Sequence, residues 1–143
     1  MSTPIPPSTP IPPMSAEAPH VDEALVTYTH VIYALHALAV LIGLSTFHTI
    51  VGSFVGGLPS IVAVIMNYAR RSATRGTYLE SHFRWQIRTF WYALLWAVVC
   101  VMVAITIIGI PIALLGYAAL AIWIVYRVAR GWLALKDRRP MYV

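Results

Sequence analysis

Residues 77–92 read TYLESHFRWQIRTFWY, from Thr77 to Tyr92. Charges and aromatic rings are interleaved here, immediately before a long apolar run. Thr77 and Glu80 have the T-x-x-E spacing of a capping box, so a helix is expected to start near Thr77. On that helix Glu80 and Arg84 lie four apart, with Arg84 and Arg88 four apart again. Glu preceding Arg at this spacing is the favourable order, worth a few tenths of a kcal/mol. Phe83, Ile87, Phe90 and Trp91 share one face, and Trp85 and Tyr92 add to the aromatic content. Aromatic rings with a polar edge settle at headgroup depth, and Arg stems reach toward water and phosphate. The stretch therefore predicts an interfacial amphipathic helix over about 77–89 that leads into a membrane span. Glu80, His82, Trp85, Arg84 and Gln86 are its candidate contacts to a partner or to lipid.

Working outward, both flanks are apolar. Residues 24–69 contain no Asp, Glu, Lys or Arg, and neither do residues 89–126. One helical span needs roughly 20 residues at about 1.5 Å per residue, so each block is long enough for two. In the first block the break is expected in Gly43–Pro59, GLSTFHTIVGSFVGGLP, which is rich in Gly, Ser and Thr and closed by Pro. Gly52 and Gly56 have the spacing of a close helix contact, but their position favours a turn. In the second block Gly109-Ile110-Pro111 supplies the turn, with Pro suited to the first turn of the next helix. Expected spans are 28–46, 55–71, 90–108 and 111–130 within a bundle covering 24–136. The fold expected is an all-α, polytopic membrane protein: four transmembrane helices in two hairpins, with the interfacial helix on the cytoplasmic side.

Composition agrees. The 143 residues are 59% hydrophobic and only 10% charged, with a mean hydropathy of +0.75; soluble domains carry about a quarter charged residues. The net charge of +5 could suggest nucleic acid. Against that, the basic residues flank apolar runs instead of covering a polar face. Five lie at Arg70, Arg71, Arg75, Arg84 and Arg88, and five from Arg127 to Arg139. Cytoplasmic loops carry the excess of Lys and Arg. The middle loop and the C-terminus are thus expected on one side, the cytoplasm, with an even number of crossings between them. From length, residues 24–69 are expected to cross twice, which puts the N-terminus there too. The loop arginines are candidate contacts to anionic lipid or an acidic partner.

Residues 1–23 are expected to be a disordered tail. It opens on two copies of STPIPP, Ser2–Pro7 and Ser8–Pro13, which favour polyproline II and form no packed core. It lacks the basic start and apolar centre of a signal peptide. Residues 137–143 are expected to be a short cytoplasmic tail.

Chemistry is sparse. Cys100 is the single cysteine, inside an apolar run, and reads as a buried inert thiol. His30, His36 and His48 lie in or near the first span. His30 and His36 are separated by about 600° around a helix and do not share a face. The later spans hold no second histidine that would complete a bis-His haem or metal site, so no cofactor or metal is expected. No carboxylate lies in an expected span, and no nucleophile–base pair or phosphate loop is present, so no enzymatic activity is expected.

The run Arg75–Trp91, RGTYLESHFRWQIRTFW, resembles the signature of a family of small bacterial inner-membrane proteins of unassigned function. The end, Tyr126–Leu135 with Pro140 close behind, resembles that family's closing pattern of a span, a Gly and a short Pro-containing tail. The resemblance covers residues 27–142. The family is loosely compared with a component of the chloroplast inner-envelope protein translocon. It implies a four-helix bundle in a bacterial inner membrane and brings no activity. The function expected is that of an accessory, scaffold or assembly partner of another membrane protein. The alternative is a homo-oligomeric pore or translocation component.

Overall fold

The structure, a computed structural model, describes residues 21–46 and 50–142. Both STPIPP units and His48 lie outside the described residues. Among the described residues there are four α-helices: α1 (Glu23–Thr46), α2 (Ile50–Arg70), α3 (Tyr78–Ile105) and α4 (Ile110–Lys136). Helices α1, α3 and α4 are long and apolar enough to cross a membrane, which marks a multi-pass membrane protein.

The start of α1 lies five residues before the expected Tyr28. Asp22 Oδ1 accepts from the Ala24 N–H at 2.9 Å, and Glu23 occupies the first turn, where a carboxylate is favoured by the helix dipole. The turn expected over residues 43–59 is much shorter. Helix α1 runs to Thr46 and α2 begins at Ile50, so Gly52, Gly56 and Gly57 are helical. Without water nearby, each backbone amide needs a partner within the chain, and the helix provides it where turn propensity alone would break it. Pro59 sits inside α2 and removes one donor, yet the helix continues to Arg70.

The interfacial helix expected over 77–89 is not a separate element. Those residues form the first half of α3, which continues unbroken for 28 residues. Its buried residues Leu79, His82, Phe83 and Gln86 recur at the spacing of one helical face and point into the bundle. Satisfying that face needs protein neighbours, so the segment packs beside α1 and α4. The capping box is displaced by one residue. Glu80 Oε2 accepts from the Gly76 N–H at 3.1 Å, while the Thr77 hydroxyl donates to the Thr74 carbonyl at 2.7 Å. A 3-10 turn at Arg71–Thr74 brings that carbonyl within reach. The Glu80–Arg84 pair forms as expected, at 3.2 Å.

The second turn matches expectation. Thr106 ends α3, residues 107–109 make one 3-10 turn, and Pro111 lies in the first turn of α4. Helix α4 extends to Lys136, beyond the expected span, and ends in a Schellman arrangement. The Arg138 N–H donates to the Leu135 carbonyl at 3.0 Å and the Arg139 N–H to the Ala134 carbonyl at 2.9 Å. Arg138 takes φ = 52°, the position where glycine is usual.

Helix α1 runs antiparallel to α2, with Tyr28 bonded to the Met66 carbonyl and His36 to Ser60. It also runs antiparallel to α4, where Trp132 donates to His30 and Glu23 pairs with Arg138. Helices α3 and α4 are antiparallel neighbours. Leu25, Val26, Tyr33, Leu79, Val128 and Leu135 form one core cluster; Ile32, Ala63 and Phe83 form another. Both lie at the end that carries the charged residues. Among the described residues from Phe90 to Val125, only Cys100, Gly109 and Ala113 are buried. The bundle is therefore closed at its basic end, while the outer half of the α3–α4 hairpin exposes apolar side chains.

Candidate functional site: a polar core beneath the basic end

Polar groups converge where the helices are best packed. His82, on α3, is completely buried. Its Nε2 lies 2.8 Å from the Arg139 carbonyl, and its Nδ1 lies 3.0 Å from the Tyr33 hydroxyl. A carbonyl oxygen only accepts, so Nε2 carries the proton and Nδ1 of the neutral ring accepts from Tyr33. The imidazole thus ties α1 to the segment after α4. Ser81 adds a parallel tie by accepting from the Met141 N–H at 2.8 Å. The expected C-terminal tail over 137–143 is, as far as Met141, folded back onto α3, and Met141 is buried. Tyr33 can approach α4 because residue 131 is glycine: a Cβ there would stand 2.5 Å from the Tyr33 hydroxyl oxygen.

One turn further along α3, Gln86 is 2% exposed and neither amide atom has a protein partner among the described residues. His36 Nδ1 bonds Ser60 Oγ at 3.2 Å, while its buried Nε2 has no partner among the described residues. Between them is a cavity of about 10 Å³, bounded also by Tyr33, Thr89 and Arg127. That is close to the space needed for one water, and the walls offer the polar partners such a water requires. Asn67 on α2 is fully buried, and neither of its amide atoms has a partner among the described residues.

Arg127 closes this core on the α4 side. Its guanidinium carbon lies 3.5 Å from the centre of the Trp85 ring and 5.0 Å from that of Trp123. Its Nε donates to Thr89 Oγ1 at 2.7 Å, and Thr89 in turn donates to the Trp85 carbonyl at 2.7 Å. Trp85 Nε1 donates to the Arg127 carbonyl at 3.2 Å. Each residue of this trio holds another, so the cation is fixed in place although no carboxylate among the described residues pairs with it.

The sequence candidates divide into two groups. His82, Gln86 and Trp85 are buried and face other helices. Arg70, Arg71, Arg75, Arg84 and Arg88 are exposed, and Glu80 is partly exposed beside Arg84. Sequence reading missed Arg127, Thr89, Tyr33 and the imidazole nitrogen of His36 that has no partner among the described residues. The available signal was a cation one helical turn after Trp123, at the edge of the uncharged stretch 89–126. No family model, curated protein or solved structure matches the chain.

Proposed function

We propose that the protein is a non-catalytic, multi-pass component of a bacterial inner membrane, acting as an accessory or assembly partner of another membrane protein. In this reading α2 also crosses, since 21 residues span about 31 Å. The basic end faces the cytoplasm, following the excess of Lys and Arg there. One observation carries the proposal: among the described residues both core clusters lie at that end, while the outer half of the α3–α4 hairpin is largely exposed. The outer half of α3–α4 presents Leu94, Leu95, Met102, Ile105, Leu114, Leu115 and Ile122 outward. A helical hairpin apolar on its outer faces suits lipid or the transmembrane surface of a partner. The exposed arginines then form a rim for anionic headgroups or an acidic cytoplasmic segment, with Glu80 and Arg84 as a paired contact. The pore alternative draws little support. A pore built from several copies needs polar groups on an outer face, whereas the Thr106 and Tyr117 hydroxyls donate to backbone carbonyls.

The test is purification of the full chain in mild detergent or nanodiscs, read by native mass spectrometry. The expected result is a complex of fixed stoichiometry with one other membrane protein, weakened by Arg75→Glu with Arg84→Glu. A monomer without a protein partner, or a homo-oligomer that leaks ions when reconstituted, refutes the reading.

A further inference from the structure

A groove of about 470 Å³ runs between α3 and α4 in the outer half of the hairpin. Its walls include Trp96, Val99, Val103, Leu120 and Trp123, and it contains no charged side chain. It is deep because α4 places small residues there. A Cβ added at Gly116 would lie 2.9 Å from Cys100 Sγ. Trp123 joins the groove to the charged end: it lines the groove and also stands beside the Arg127 guanidinium.

Arg127 has five N–H donors, of which the Nε–H is used on Thr89. The four terminal N–H groups have no acceptor among the described residues. Its charged neighbours are Arg88 and Arg130, both exposed. Arg130 donates to the Tyr126 hydroxyl, and Arg88 lies over Tyr92. Among the described residues, no carboxylate pairs with any of the three. Arg127 and Arg130 both lie over the Trp85 ring, at 3.5 and 5.8 Å, and Arg88 is the third cation whose field reaches Arg127; such like charges beside apolar surface repel unless an anion is placed near them.

We propose that Arg88, Arg127 and Arg130, together with the α3–α4 groove, bind one anionic phospholipid, with its phosphate among the arginines and one acyl chain along the groove. The dimensions agree. Ile112 and Trp123 bound the groove on α4 and are about 16 Å apart along the helix. One leaflet of the hydrocarbon core is about 15 Å deep. The non-bridging oxygens of a phosphodiester supply the multi-point acceptor that a planar arginine fork fits. A second copy of this chain is a poorer occupant. A two-fold contact across the groove brings two arginine triads together, and like charges facing each other disfavour association. The site is independent of whether a protein partner exists.

The experiment titrates the full-length protein in detergent with palmitoyl-oleoyl phosphatidylglycerol or the matching phosphatidylcholine, counting bound lipids by native mass spectrometry. One phosphatidylglycerol should bind at least tenfold more tightly than phosphatidylcholine. Arg88→Gln, at an exposed position that leaves the Trp85 stack intact, should remove about fivefold of that preference. Arg127→Gln should remove most of it; if that variant does not fold, the Arg88→Gln result still decides. Ala119→Phe, which fills the groove and leaves the arginines in place, should weaken phosphatidylglycerol at least fivefold. Equal binding of the two lipids overturns the proposal. So does competition by millimolar inorganic phosphate with no effect of Ala119→Phe, which would indicate an anion site without an acyl groove. A lipid-free dimer that occludes the groove overturns it as well.

Discussion

Gly131→Ala tests the packing at the centre of the polar core. In a helix interior alanine is favoured over glycine by about 0.8–1.0 kcal/mol, so a substitution on a free helix face would stabilise. Here the new methyl would meet the Tyr33 hydroxyl oxygen at 2.5 Å, Cε1 at 2.7 Å and Cζ at 2.9 Å. Tyr33 is 1% exposed and cannot swing into solvent. Either its ring shifts or α4 moves away, and overpacking of this kind costs about 1–3 kcal/mol. A shifted ring also releases His82 Nδ1, an interhelical bond worth about 0.6–1.7 kcal/mol in membrane bundles. Against the propensity gain, the net loss is about 2 kcal/mol. The assay is unfolding of purified protein in mixed micelles, followed by circular dichroism as the denaturing detergent fraction rises. A double-mutant cycle with Tyr33→Phe sharpens it. Alone, Tyr33→Phe should cost about 1 kcal/mol; in the Gly131→Ala background it should cost less than half as much, because the bond is already broken. If Gly131→Ala is as stable as the parent or more so, the close approach of α1 and α4 at Tyr33 is wrong.

Three further outcomes are expected. Asn67→Leu should stabilise the bundle by about 1 kcal/mol in the same assay, because it removes two buried amide atoms that have no partner among the described residues; a loss of that size would show that Asn67 has a partner in the assembled protein. Arg138→Gly should leave stability unchanged or raise it by up to about 1 kcal/mol, since glycine adopts the positive φ freely while the exposed pair with Glu23 is worth little; a clear loss would locate an important contact at the Arg138 side chain. In a Cys100→Ser background, Arg75→Cys and Lys136→Cys should react with an impermeant maleimide from the same side of the membrane, and Ile108→Cys from the opposite side; labelling of all three from one side would contradict the reading that α3 and α4 cross.

Much of this architecture was legible in the residues. The segregation of every Lys and Arg into two stretches places those stretches together, and the structure gathers them at one end. Gly109–Pro111 marked its turn, because a turn residue followed by proline is a local instruction. Gly43–Pro59 carried similar signals, yet most of it is helical, because turn propensity competes with the need to satisfy backbone groups away from water. The stretch at 77–89 was misread for a different reason. Its aromatic and cationic content suits a headgroup layer and equally suits a helix whose neighbours are polar. Choosing between these requires knowing that Tyr33 and Arg139 arrive at His82, and those contacts join residues 49 and 57 positions apart. Arg127 was visible only as part of a basic cluster. Its stack on Trp85 is likewise a long-range fact.

The uneven packing has a consequence for how such a sequence changes over generations. At the closed end each side chain meets specific neighbours, and a substitution at Tyr33, His82 or Gly131 must be answered by another. In the outer half of α3–α4, side chains such as Leu95, Ile105 and Leu115 are outward-facing, and lipid accepts any apolar shape. Drift at these outward positions is nearly free, so descendants of this chain should diverge fastest at the outward-facing positions of residues 90–125, away from the α3–α4 groove, while retaining the framework at the basic end. Kinship within such a lineage would then be carried by a few dozen positions scattered over four helices, with little continuous similarity to follow.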